Sequence, residues 1–331
     1  MSKKHTIYDI AKKANVSIAT VSRVLAKSSK VSPKTHEKVW KIIKEMQYFP
    51  NRVAASLASQ NSRNIALILS EVSRPSISRL ISGILDAAAN QKYTIRIFSY
   101  KSKNNYEAFI LSVLAEKIDG IIFLDEHITN KQIEAFTKPL LNVNFPFTFI
   151  NTAVKLPGVT FTALDFKKAV ESATRHLIEK NTKRILFLTS KITYFSNLEK
   201  ESGYLETIKA SNLKPYIFRM DPEDIEEHEF LSFFEENQIE AIVATRDVAA
   251  LKAINLLRQK NLKCGTDYRV VCMQNTNFCK LFTPQLTSIS YSNYRLGEQA
   301  LIYLTQLIEN VKIDKTQTFV EYELIERESS R

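Results

Sequence analysis

Ten residues in the first 35 carry side chains suited to reading a nucleic acid: Thr6, Ile7, Ser17, Ile18, Ala19, Thr20, Ser22, Arg23, Ser32 and Thr35. An arginine on an exposed helix face can pair bidentately with O6 and N7 of guanine. Short hydroxyls suit phosphate oxygens or base edges, and Ile and Ala offer apolar contact, for instance to a thymine methyl. Charge agrees with this reading. The chain carries a formal net charge of +11, and residues 1–61 hold 12 Lys/Arg against three acids, a net +9. The rest of the chain is nearly neutral at +2. Clustered cations gain from releasing phosphate counterions, so the head reads as a double-stranded DNA binder and not as a solvated lysine face.

Other chemistries find no residues. There are only six Gly in 331 residues, with neither GxGxxG nor GxxxxGK[ST], so no glycine-rich phosphate loop is expected. His5, His36, His127, His176 and His228 are scattered without HExxH spacing. Cys264, Cys272 and Cys279 form no CxxC pair. No metal site, cofactor or catalytic triad is expected, and the chain does not read as an enzyme. The acid-rich stretch 221–230 reads as a solvated helix start. An odd cysteine count, a charged start without an apolar leader, and no run of about 18 apolar residues point to the cytoplasm and away from a membrane.

The elements that would hold the DNA-facing residues are three short helices. Ile7, Ile10, Ala11 and Ala14 share one face, with Asp9 three residues after Thr6. Asn15 suits a left-handed helix end. Ser17 caps a second helix in which Val21, Val24 and Leu25 point inward. Ser32-Pro33 opens a third, with Val39, Ile42, Ile43 and Met46 as its apolar stripe and Trp40 beside it. Helix, tight turn, reading helix and supporting helix make a helix-turn-helix head.

The runs TIYDIAKKANVSIATVSRVL and VSPKTHEKVWKIIKEMQYFPNRVAASLAS resemble the head of the lac/galactose repressor family of bacterial transcription regulators. The resemblance implies a homodimer on a pseudo-palindromic operator, controlled by a small-molecule effector and most often a repressor of carbohydrate-related genes. It also marks 51–61 as a hinge helix and linker, with Asn51, Arg52, Ala54, Ala55 and Leu57 at the DNA. Leu57 would be the wedge that unstacks the central base step. So short a helix is marginal by itself, which suits ordering on DNA.

From residue 62 the pattern alternates between short apolar strands (IALIL, TIRIFS, DGIIFLD, FTFIN, VTFTAL, RILFLTS, YIFRM, EAIVAT, YRVVCM) and helical stretches. That is the pattern of doubly wound parallel sheets. The expected fold class is an α helix-turn-helix head plus an α/β body of two doubly wound parallel-sheet lobes, which the resemblance identifies as periplasmic-binding-protein type I. The expected domains are 1–50, 51–61 and 62–331. Within the body, lobe 1 takes about 62–161 and 291–319, and lobe 2 about 162–290 and 320–331.

Ligands of such folds sit at the carboxyl ends of strands. The resemblance places the effector among Ser70, Arg74, Ser76, Asn151, Lys200, Arg246 and Gln274. The chain departs there from sugar-sensing members. Arg74-Pro75-Ser76-Ile77 replaces a motif with stacking aromatics. Lys200 stands for an arginine, Phe166 for an asparagine, Arg246-Asp247 for Asn-Asp and Gln274-Asn275 for Asp-Asp. The changes add cations and remove a carboxylate, which favours an anionic effector such as a sugar phosphate or organic acid. Two alternatives stay open: a salt-bridged cleft that binds a neutral sugar, and a cleft without a ligand, with control by a phosphocarrier protein corepressor. Ile18-Ala19 is similar to the reading pair of catabolite-control members. A solute-binding protein with the same body is the rival from another class, and the basic head speaks against it.

Overall fold

The computed structural model describes residues 7–25, 31–46, 62–70, 75–100, 105–125, 128–154, 159–192, 194–220, 227–311 and 317–331. The chain divides into two units, 1–62 and 63–331.

The first unit contains α1 (Ile7–Ala14), α2 (Ile18–Leu25) and α3 (Pro33–Glu45). Their apolar stripes meet in one small core of Ile10, Ala11, Ala14, Val21, Val24, Val39, Ile42 and Ile43, with Val16, Val31, Trp40 and Met46 packed around it. Asn15 ends α1 at φ 50°, in the left-handed region that an Asn tolerates. The Ser17 hydroxyl accepts the Thr20 N–H at 3.1 Å, and the Ser32 hydroxyl accepts the Thr35 N–H at 3.3 Å. Both reproduce the caps expected of the sequence.

The second unit starts with β1 (Asn64–Leu69), α4 (Pro75–Asn90), β2 (Thr94–Ser99), α5 (Tyr106–Leu114), β3 (Gly120–Leu124), α6 (Asn130–Asn142), β4 (Phe147–Ile150) and β5 (Thr160–Leu164). It continues with α7 (Phe166–Glu179), β6 (Ile185–Ser190), α8 (Phe195–Ala210), β7 (Tyr216–Met220), α9 (Glu227–Glu236), β8 (Ala241–Ala244), α10 (Asp247–Gln259), β9 (Arg269–Cys272), α11 (Asn277–Leu281) and β10 (Thr287–Tyr291). The end is α12 (Asn293–Ile308), β11 (Gln317–Val320), β12 (Tyr322–Ile325) and a short 3-10 turn, Glu328–Ser330.

Two six-stranded sheets result, ordered β11-β5-β4-β3-β1-β2 and β12-β10-β9-β8-β6-β7. Helices cover both faces of each, so β3, β4, β5 and β8 are buried at every residue and are apolar almost throughout. The first sheet is wholly parallel. In the second, β12 runs antiparallel to β10, a departure from the purely parallel expectation. The reason is connectivity: β10 leaves that lobe towards α12, whereas β12 enters it from β11.

The ladders give the crossings within about three residues of the approximate lobe bounds. Leu164 still pairs with Val320 in the first sheet, and Tyr291 pairs with Tyr322 in the second. Residues 162–164 and Val320 therefore belong to lobe 1, and Tyr291 to lobe 2. The crossing strands keep their ladders to their last residues, which a continuous apolar run does not advertise. Helix α6 runs from Asn130 to Asn142 through Pro139. A Thr129–Gln132 capping box starts it, and buried Leu140 holds its far end.

Candidate DNA-reading face and inter-lobe cleft

On α2 and the turn before it, Ser17, Ile18, Ala19 and Arg23 are exposed, opposite the buried Val21 and Val24. Ile18 is 41% exposed, an apolar side chain open on the same face. The Ser17 and Thr20 hydroxyls lie 2.9 Å apart, as do those of Ser32 and Thr35, so these groups are oriented by the caps. Ser32 is exposed and Thr20 and Thr35 are half-buried. Tyr8, an aromatic on the polar face of IYDIAKKA, is 67% exposed on α1. Thr6, Asn51, Arg52, Ala54, Ala55 and Leu57 lie outside the described residues, as do the side chains of Ile7, Ser22 and Leu25.

Of the expected effector residues, Ser70 and Asn151 directly follow strands, and Arg246 and Gln274 stand two residues after β8 and β9. Ser70 follows β1 and is exposed, whereas Asn151 follows β4 and is buried. Asn151 takes φ 56°, and its side-chain Oδ1 accepts the Leu164 N–H at 3.3 Å, which ties β4 to the end of β5. Lys200, on α8, is only 5% exposed, and its ammonium lies 4.4 Å from the centre of the Phe166 ring. Arg246 is half-buried at the start of α10, and its side chain caps nothing. Gln274, after β9, is fixed through its backbone: its N–H donates to the Cys272 sulfur at 3.4 Å, and its carbonyl accepts the Cys279 thiol at 3.1 Å. Arg74 and the side chain of Ser76 lie outside the described residues.

Two buried carboxylates also stand at strand ends, and neither was among the expected site residues. Asp125, after β3, accepts the Tyr100 hydroxyl at 2.5 Å. Burial first, then the charge of Asp125, holds the Tyr100 hydroxyl protonated far above its ordinary range. Asp247 accepts the Val248 N–H at 2.7 Å and the Thr276 hydroxyl. Both acids close the strand segments DGIIFLD and EAIVATRD, so position was the signal and partnership was not. Asn275 accepts from Arg327 at 2.9 Å and donates to Ser290 at 3.0 Å. The lobes touch where the Phe195 N–H donates to the Ile128 carbonyl at 3.0 Å.

Among the described residues no cluster of three His, Cys, Asp or Glu could hold a metal, and no helix is long and apolar enough to cross a membrane. The three cysteines are free thiols.

Comparison with known proteins accords with this geometry. The profile of the bacterial regulatory proteins of the lacI family matches residues 6–51, and that of a periplasmic binding protein-like domain matches 174–330. The HTH-type transcriptional regulator RegA of Clostridium saccharobutylicum is 30% identical over 332 residues, covering 98% of this chain and 99% of that protein. Catabolite control protein A of Priestia megaterium is 29% identical, with the same coverage. In fold, the chain is similar to the lac repressor dimer solved with operator and the anti-inducer ONPF, at TM-score 0.85 and 22% identity over 99% of each chain. Full-length similarity at this level, on a helix-turn-helix head and a two-lobed body, places the chain in the lacI family of DNA-binding bacterial transcription regulators.

Proposed function

We propose that this regulator is a homodimeric repressor of carbohydrate-related genes whose operator affinity is set by an anionic small molecule, such as a sugar phosphate, in the cleft between the lobes. The observation that carries the effector class is Arg246. Its guanidinium makes no ion pair among the described residues, although a buried carboxylate is its immediate neighbour in sequence. That carboxylate, Asp247, is already taken by Thr276 and the Val248 N–H. A salt-bridged cleft that binds a neutral sugar would need Arg246 neutralised from within. A half-buried cation without an internal partner instead favours an anion. Lys200, buried on α8, adds a second positive charge.

At the DNA, Ser17, Thr20, Ser32 and Thr35 hold phosphates and set register, while Ile18, Ala19 and Arg23 read bases. Thr6, Ile7, Ser22 and the hinge residues Asn51, Arg52, Ala54, Ala55 and Leu57 complete the contact set. The effector acts by unequal affinity for two lobe arrangements, only one of which suits the operator.

The test is a thermal-shift panel on the full chain with free sugars, their phosphates and small organic acids. A ligand that binds only the folded state raises the midpoint with its concentration. A rise with anions alone supports the proposal. A rise with neutral sugars alone overturns the anionic class. Silence with both favours the second reading, a phosphocarrier protein corepressor, to which the similarity to catabolite control proteins also leads.

A further inference from the structure

We propose that a groove along α6, at the seam of the two lobes, is a second ligand site, and that it takes a small zwitterion with an apolar body, of the apolar-dipeptide class. The groove has a volume of about 550 Å³ and follows one face of α6 from Asn130 to Asn142. That size is ordinary for small-molecule sites, which run from about 300 to 1,000 Å³. None of the residues expected to bind the effector lines it.

The lining decides the ligand class. Ile133, Leu141 and Val154 from the first lobe and Phe195 from the second give it an apolar floor. Above the floor stand Glu134 and Lys138, one helical turn apart on the same face. Neither carries an ion pair among the described residues, although their spacing would allow one between them. An unspent carboxylate and an unspent ammonium beside an apolar floor complement a molecule with its own ammonium and carboxylate on an apolar body. A purely anionic ligand would face Glu134, and a hydrocarbon would leave both charges unused.

The place of Phe195 gives the site a consequence. Phe195 opens α8, and its N–H makes the 3.0 Å bond to the Ile128 carbonyl of the other lobe. A ligand that packs Phe195 against α6 therefore favours this lobe arrangement and changes the affinity of the cleft for its own ligand. The site does not depend on which effector the cleft takes.

The experiment is calorimetric titration of the full chain with L-leucyl-L-phenylalanine, and with the same dipeptide acetylated and amidated so that both charges are gone. Binding of the free dipeptide, about tenfold or more weaker for the capped form, is expected. Leu141 and Lys138 are exposed, so their variants keep the fold. Leu141→Asp should lower affinity about tenfold by spoiling the floor, and Lys138→Ala about two- to fivefold by removing one rim charge. No binding of the dipeptide at about 10 mM, equal binding of the capped form, or wild-type affinity in both variants would each overturn the proposal.

Discussion

The ammonium of Lys200 lies 4.4 Å from the centre of the Phe166 ring, a contact between α8 and α7. A cation desolvated over an aromatic face gains up to about 2 kcal/mol, less than the cost of burying the charge. The proposed anion gives the buried ammonium a functional use beside that ring contact. Lys200→Met replaces it with an apolar chain of similar length and removes the charge. The anion-dependent shift should fall by about tenfold in apparent affinity, the worth of one charge-assisted hydrogen bond. Unaltered anion affinity in a folded Lys200→Met protein would remove Lys200 from the site.

The head was legible because its signals are local. Asn15, Ser17 and Ser32 each act within four residues, and their φ angle and cap bonds follow from side-chain type. The alternation of strands and helices was legible for the same reason, since continuous apolar runs such as GIIFL mark strands covered on both faces. What stayed hidden was non-local. Tyr100 and Asp125 lie 25 residues apart and meet only because β2 and β3 flank β1 in the sheet. Asp247 directly follows Arg246, but Thr276, 29 residues on, bonds its carboxylate. Asn151, the polar end of FTFIN, also holds the Leu164 N–H through its side-chain Oδ1, a bond made 13 residues away. The direction of β12 depends on which lobe the chain enters last, information that no window of sequence contains.

The packing of α4 against α12 rests on two glycines. A Cβ on Gly83 would stand 2.0 Å from the Tyr294 carbonyl oxygen, and one on Gly297 would stand 2.1 Å from that of Leu80. Both obstacles are backbone, so no rotamer relieves them and the helices must part. Gly83→Ala and Gly297→Ala should each cost about 2–3 kcal/mol, the range for forced overpacking, despite the better helix propensity of alanine. Leu85→Ala, at an exposed position of the same helix, should stay within about 0.5 kcal/mol. Urea unfolding compares the three, and a stable Gly83→Ala would show that the helices separate freely.

Arg23 is exposed on the last turn of α2, while the core of the head is built from other residues. Arg23→Ala should therefore leave the folding of the head intact. It should weaken operator binding by about 1–3 kcal/mol and relax the preference at one base pair of each half-site. Competition binding over single-base operator variants separates this role from a phosphate contact. Uniform weakening with a lower salt slope would make Arg23 an anchor and not a reader.

Glu240 precedes β8 and gathers three donors from the start of β6. It accepts the Lys183 N–H at 2.7 Å, the Arg184 N–H at 3.1 Å and the Arg184 guanidinium at 2.5 Å. Partial burial alone would raise its pKa, but the two backbone donors and the neighbouring cations outweigh it and hold the carboxyl below its ordinary range. In the unfolded chain a glutamate titrates near about pH 4.3. Above that pH both states are ionised and the full stabilisation is present. As pH falls below it, the unfolded state takes up a proton that the folded state still refuses, and the stabilisation drains away through the folded pKa. Glu240→Gln keeps an acceptor but loses the charge. The variant should thus be less stable than wild type at pH 7, and the gap should narrow as pH drops from about 5 to about 3. Urea unfolding of both proteins across that range reads the gap directly. A gap that stayed constant with pH would mean that the shape of Glu240, and not its charge, holds β6 and β8 in register.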